Sequence, residues 1–144
     1  MPGRTGVSAE DVAMAGMEPM PWFSHDSSAS RDQKVRRLIK REGVEGYGRW
    51  WLLCEALAST RGHRIDVSDG ESMEILADEL LCGVDELGEF LGQLSDVGLI
   101  RGLGEGFVYS ERMERNALTF GAKRAGGRLG GRPRKRAPKP PTEA

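Results

Sequence analysis

The strongest constraint on the fold is an apolar repeat in the middle of the chain. Val84, Leu87, Leu91, Leu94 and Val97 recur at three- and four-residue steps, which places them on one face of an α-helix. A tight break at 82–84 precedes this repeat, and the segment before the break, 71–81, also has a helical pattern. Two helices joined by a glycine turn are typical of a helix-turn-helix.

Short strands are predicted on both sides of this pair. "HRIDV" (63–67) alternates in polarity, and "LIRG" and "FVYS" flank the glycine-rich turn "LGEG". A hairpin of this kind behind a helix-turn-helix is a wing. We therefore expect a mainly α protein with a small β-hairpin, that is, a winged helix-turn-helix.

Two further helices are predicted upstream. Ser30 and Gln33 match a capping box, so a basic helix should begin at Ser30 and end at Gly43. A more apolar helix follows over 45–59, with seven residues on a broad buried face: Tyr47, Trp50, Trp51, Leu53, Cys54, Leu57 and Ala58. We expect Trp51 to be a core residue whose truncation unfolds the domain.

Glycine and proline divide the chain of 144 residues into three parts. The seven prolines and many of the 20 glycines lie near the two ends, where they oppose regular structure. We predict a disordered N-terminal segment over 1–20, a winged-helix domain over 21–120 and a basic disordered tail over 121–144. A short helix from Glu111 to about Phe120 should close the domain.

The charge is distributed unevenly between body and tail. Residues 1–122 carry 13 Lys and Arg against 21 Asp and Glu, whereas residues 123–144 carry 8 against 1. A basic tail on an acidic body favours a polyanionic partner, most often nucleic acid. A membrane partner is not expected, because no apolar run approaches the ~20 residues of a membrane span and the tail has no residues that would insert into a bilayer. The expected location is the cytoplasm.

The tail also contains a motif. Gly131-Arg132-Pro133 is followed by Arg134, Lys135 and Arg136, and this run is similar to part of an AT-hook, whose arginine enters a narrow A·T-rich minor groove. A generic basic tail is the alternative. On either interpretation the candidate DNA contacts here are Arg128, Arg132, Arg134, Lys135 and Arg136.

The first predicted helix supplies a second candidate DNA surface. Six of the eleven residues over 31–41 are basic and one is acidic, so Lys34, Arg37 and Arg41 are predicted phosphate contacts. The alternative is a solvated face that pairs with acidic groups of this chain or of a second copy. The second helix of the helix-turn-helix is acidic instead, with Asp85, Glu86, Glu89 and Asp96, so we do not expect it to read bases.

No catalytic, cofactor or metal site is predicted. "SHDSS" (24–28) combines serine, histidine and aspartate, but neighbours in sequence rarely have triad geometry, and no nucleophile-elbow motif is present. We expect Asp26, Ser27, Ser28 and Ser30 to cap backbone amides while Trp22 and Phe23 pack below. His25, Cys54, His63 and Cys82 lack the paired spacing of a zinc site.

Several short motifs resemble one family. Phe23 with His25-Asp26, the "DxK" of Asp32 and Lys34, "EGVEGYGRWWLLCEAL", and "LSDVGLIR" leading to "FVYSERM" are similar to the N-terminal winged-helix domain of phage replisome organisers and DnaD-type replication-initiation proteins. The resemblance covers about 22–115. It implies a DNA-associated protein of phage or prophage replication initiation. A protein-binding or self-association scaffold, with replication proteins or a second copy as partner, and a transcriptional regulator remain alternatives.

Overall fold

Residues 6–128 form five α-helices and a small antiparallel sheet. The structure is a computed structural model that describes residues 6–128. In chain order the elements are α1 (Ala9–Gly16), α2 (Gln33–Ser59), β1 (Ile65–Asp66), α3 (Gly70–Glu79), α4 (Val84–Asp96), β2 (Phe107–Val108) and α5 (Glu111–Arg128), with single 3₁₀ turns at Ala29–Arg31, Arg61–His63 and Leu103–Glu105. The predicted class, mainly helical with a small sheet, is confirmed at this level.

The N-cap of helix α2 lies two residues later than its sequence predicts. Asp32, not Ser30, is the N-cap, and its carboxylate accepts hydrogen bonds from the backbone N–H groups of Lys34 (3.0 Å) and Val35 (3.2 Å). A charged acceptor is favoured at this position by the helix dipole, and Ser30 lies in the preceding 3₁₀ turn. The predicted break at Gly43 is confirmed, because this residue has φ 75° and ψ −171° inside α2, a backbone conformation that favours glycine.

The sheet is shorter than predicted. β1 and β2 are antiparallel, with Ile65 opposite Val108 and Asp66 opposite Phe107. "LIRG" contributes a single bridge, in which Arg101 and Tyr109 exchange backbone hydrogen bonds of 2.9 and 3.1 Å. The turn requires glycine at Gly102, where φ is 89° and a Cβ would lie 2.6 Å from the Phe107 ring.

The core lies between α2, α3, α4 and the start of α5. Its largest fully buried side chains are Trp50, Phe90, Leu38, Leu53, Leu57, Leu76, Leu80, Leu87, Leu91, Leu94, Ile100 and Met113. Four of the five residues of the predicted α4 repeat are buried, and the first, Val84, is 38% exposed. The helical periodicity therefore identified the buried face of α4, apart from Phe90.

The N-terminal segment is a correction to the prediction. Within 1–20, α1 forms a helix with a full capping box between Ser8 and Asp11. It packs against α5, where a Cβ on Gly121 would lie 2.3 Å from the Val12 carbonyl oxygen and one on Gly16 would lie 2.6 Å from the Ala117 carbonyl oxygen. The two backbones meet through glycine, which has no side chain to keep them apart.

Helix α5 is also longer than predicted. It continues past Phe120 to Arg128, with Ala125 buried and with Arg124 3.3 Å from Glu18. Glycines at 121, 126 and 127 disfavour a helix locally, but the contact with α1 outweighs that cost. His63 connects the C-terminal end of α1 to α2, because its ring nitrogens lie 2.6 Å from the Gly16 carbonyl oxygen and 3.0 Å from the Leu57 carbonyl oxygen.

Among the helices of the described residues, none is both long enough and apolar enough to cross a membrane.

Candidate nucleic-acid interface

The first half of α2 has a basic outer surface. Arg36, Arg37 and Lys40 are exposed, and their spacing places them together on the side of the helix opposite the buried Val35 and Leu38. We call Arg36, Arg37 and Lys40 the basic ridge. Within residues 6–128, none of the three has a side-chain ion pair or hydrogen bond.

The other two predicted residues of this helix lie at the edge that faces α4. Lys34 is exposed, and its side chain lies over Gly98. Arg41 is engaged inside the molecule, because its guanidinium lies 2.8 Å from Asp96 and donates a 2.9 Å hydrogen bond to Gln93. The alternative of intramolecular pairing therefore applies to Arg41, whereas Lys34 and Arg37 have no ion pair in the part of the chain that the structure describes.

Helix α4 presents acids, as predicted. Asp85, Glu86, Glu89 and Asp96 are all exposed. Two cations of α2 lie at this face: Arg41, 2.8 Å from Asp96, and Arg49, 3.9 Å from Glu86. The Arg49 side chain is only 10% exposed, because it lies against Leu80 and Phe90. The outer face of α4 is consequently unfavourable for phosphate.

The turn between the bridge at Arg101 and β2 adds no free cation. Arg101 lies 3.0 Å from Glu111, and Glu105 is the charged residue of the turn itself.

Most of the predicted tail contacts lie outside the described residues. This applies to Arg132, Arg134, Lys135 and Arg136. Arg128 is the last residue of α5.

Side chains of "SHDSS" contact α2 and α5, whereas the sequence predicted that they cap backbone amides. The His25 ring stacks on Trp51 with centroids 3.7 Å apart, and Asp26 lies 3.3 Å from the Arg112 guanidinium. Ser24 donates a 3.1 Å hydrogen bond to the Asn116 side chain. These contacts join the segment to α2 and α5. Trp22 does not pack below the segment as predicted, since it is 62% exposed.

The cysteines and histidines are not grouped. Cys54 is buried and Cys82 half-buried, and loss of solvation raises the pKa of both thiols above its usual range. No cluster of three or more potential metal ligands occurs among residues 6–128.

A cleft at the N-terminal end of α2 was not predicted from the sequence. It encloses about 330 Å³ between the 3₁₀ turn before α2, the residues after α4 and the first turns of α5. Its lining includes Arg31, Lys34, Trp51, Arg112 and Arg115. These residues come from separate elements, so no local motif could have indicated the cleft.

A family model described as Lin1244/Lin1753-like, N-terminal, matches residues 22–102. The match covers more than half of the chain and includes α2, both halves of the helix pair α3 and α4, and the bridge residue Arg101. No curated protein and no solved structure matches the chain.

Proposed function

Because the chain belongs to the Lin1244/Lin1753-like N-terminal family, a phage and bacterial domain family, we propose that it is a non-enzymatic, DNA-associated protein of phage or prophage replication initiation, similar to replisome organisers. The observation that carries the proposal is the basic ridge of Arg36, Arg37 and Lys40, exposed and without ion pairs among the described residues.

A winged-helix architecture is part of this proposal. The order of elements supports it: the apolar half of α2, then β1, α3 and α4, then the Arg101–Tyr109 bridge and β2. In a winged helix the two strands after the second helix of the pair form the wing, and the first strand pairs with them at the edge. The antiparallel pairing of β1 with β2 supports this proposal.

The charges favour α2, not α4, as the helix that meets DNA. A Lys or Arg that contacts a phosphate releases a condensed counterion, and this gain does not depend on base sequence. The basic ridge has free cations for such contacts, whereas α4 would bring its four acids toward the phosphates. Binding through α2 is therefore expected to show little sequence preference.

A second function has a specific observation in its favour. Ile75, Leu81 and Val84 are exposed around the α3–α4 turn, and Leu81 is 74% exposed. Next to the acidic face of α4 they would suit a protein partner with basic and apolar groups. This is the scaffold alternative, in which the domain binds protein or a second copy.

Duplex binding by paired double variants separates the two functions. Arg37→Ala with Lys40→Ala removes two cations from the basic ridge, and Arg61→Ala with Lys123→Ala removes two exposed cations from elsewhere. Binding is measured by fluorescence anisotropy between about 50 and 200 mM salt. The ridge variant should bind more weakly, and the slope of log affinity against log salt concentration should be smaller in magnitude by about two.

The control variant should retain the parent slope. If both double variants bind as the parent does, the ridge is not the interface. If no form of the chain binds duplex while light scattering shows a stable oligomer, the scaffold function is correct.

A further inference from the structure

The cleft described above has an apolar floor and polar walls. Its apolar lining consists of side chains that are buried or half-buried: Val35, Trp50, Trp51 and Leu99. Its volume of about 330 Å³ is at the lower end of the range for small-ligand sites. Such a cleft admits one small group, not an extended ligand.

Three cations at the cleft have no ion pair within the described residues. They are Arg31, Lys34 and Arg115, and all three are exposed. They come from the 3₁₀ turn, α2 and α5 respectively. The charge that they bring to one place is therefore available to a ligand.

The acids of the cleft are each engaged by another group. Asp26 pairs with Arg112, and Glu111 with Arg101. Asp32 accepts the two backbone N–H groups at the start of α2. Since the negative charges are compensated locally, the cleft favours an anion over a cation.

Unpaired donors in the cleft wall point to the same class of ligand. In the described part of the chain, three buried side-chain polar atoms have no hydrogen-bond partner: Trp51 Nε1, Arg112 Nε and Asn116 Nδ2. All three are donors. Trp51 and Arg112 line the cleft, and Asn116 follows Arg112 by one turn of α5.

These donors are covered by their neighbours, so a ligand reaches them when Arg112 rotates. Two exposed hydrogen bonds hold the Arg112 guanidinium, 3.3 Å from Nη1 to Asp26 and 3.0 Å from Nη2 to the Ser24 carbonyl oxygen. Both partners belong to the segment before α2, and the guanidinium lies 5.5 Å from the Trp51 ring centre. An acceptor placed beside Trp51 would satisfy buried donors that otherwise destabilise the site.

We propose that this cleft binds a phosphate group. The cleft brings together cations from three elements and N–H donors of an indole and a guanidinium. A tetrahedral oxyanion suits this arrangement, because its acceptor oxygens point in several directions. The source of the phosphate rests on the proposed function: Lys34 of the cleft lies one turn before Arg37 of the basic ridge, so a DNA strand that contacts both residues would bring a backbone phosphate to the cleft. A free phosphate ion is the other source.

The indole N–H of Trp51 reports on occupancy in the full chain. In ¹⁵N-labelled protein its NMR signal is assigned by its loss in Trp51→Phe, which keeps an aromatic ring against His25. Titration with inorganic phosphate should shift this signal, while the exposed Trp22 signal should not move. Sodium chloride at equal ionic strength should leave both in place.

Arg115→Ala tests the cation that α5 contributes to the cleft, with Arg61→Ala as the matched control. Loss of a charged hydrogen bond should weaken the phosphate titration by about tenfold in Arg115→Ala, and Arg61→Ala should behave as the parent. A Trp51 signal that ignores phosphate, or equal behaviour of the two variants, overturns the proposal.

A second titration with duplex DNA distinguishes the two sources. If DNA also shifts the Trp51 signal and loses affinity in Arg115→Ala, the ligand is a backbone phosphate. If phosphate shifts the signal but the chain does not bind DNA, the cleft takes free phosphate and the proposed function fails. If DNA binds through Arg37 and Lys40 while neither ligand shifts Trp51, the cleft proposal fails and the proposed function stands.

Discussion

At the scale of single residues, two adjacent tryptophans have different roles. Trp50 is 1% exposed and belongs to the core, whereas Trp51 is half-buried between His25 and Arg112. The prediction that both tryptophans are core residues is therefore correct for Trp50 and is corrected for Trp51, which packs against the core and is only partly buried. Both lie on the apolar part of α2, and only the neighbouring segment and α5 determine which of them is enclosed.

The two tryptophans should differ in their effect on stability. Trp50→Ala should lower the free energy of unfolding by about 3–5 kcal/mol, because it leaves a large cavity in a closed core. Trp51→Ala should cost about 1–2 kcal/mol, since it loses stacking and part of a buried surface. Urea unfolding followed by far-ultraviolet circular dichroism measures both, and equal losses would contradict the assignment.

At the scale of elements, the contact between α1 and α5 depends on close approach at glycine. Gly121 faces Val12 and Gly16 with no space for a Cβ, while Gly126 in the same helix has open space around it. The α1 helix has only eight residues, too short to be stable alone. Its order therefore depends on α5.

Two glycine variants in one helix test this dependence. Gly121→Ala should detach α1, and the amides of Ala9–Gly16 should lose their protection in hydrogen exchange while α2 keeps its own. Gly126→Ala should leave α1 protected and gain up to about 1 kcal/mol from helix propensity. Retained α1 protection in Gly121→Ala would show that the contact tolerates a methyl group.

At the scale of the whole molecule, the extent of α5 determines where the tail can be removed. Truncation after residue 122 would delete Ala125 and Arg124, which contact the body. Truncation after Arg128 leaves α5 complete and removes five Lys and Arg residues and one Glu.

Removing residues 129–144 should weaken duplex binding strongly. If the five cations of that segment each contact a phosphate, the truncation should reduce the slope of log affinity against log salt concentration by about four in magnitude. Binding across several salt concentrations, compared with the full chain, is the measurement. Equal affinity of the two forms would place the interface entirely in the body.

The AT-hook interpretation is tested by the preference of the full chain for A·T-rich over G·C-rich duplex. Arg132→Ala should reduce the preference for A·T-rich over G·C-rich duplex, because a groove-inserted arginine reads minor-groove width. Lys139→Ala, the matched control, should weaken both duplexes alike. If Arg132→Ala also weakens both alike, the tail is a generic basic segment.

The sequence by itself determined helices α2, α3 and α4, the glycine break at Gly43, the buried face of α4 and the separation of charge between body and tail. These features depend on residues within a few positions of one another, so periodicity and turn chemistry reveal them. The alternation of "HRIDV" likewise predicted β1, although the strand pairs over only two residues.

Only the tertiary structure decided which charged side chains pair with one another and which helices pack together. Arg41 is neutralised by Asp96, 55 positions away, and Arg112 reaches Asp26 across 86 positions. The packing of α1 on α5 and the cleft beside Trp51 likewise join segments that are distant in sequence. Such contacts depend on how complete elements pack, which no local pattern of residues encodes.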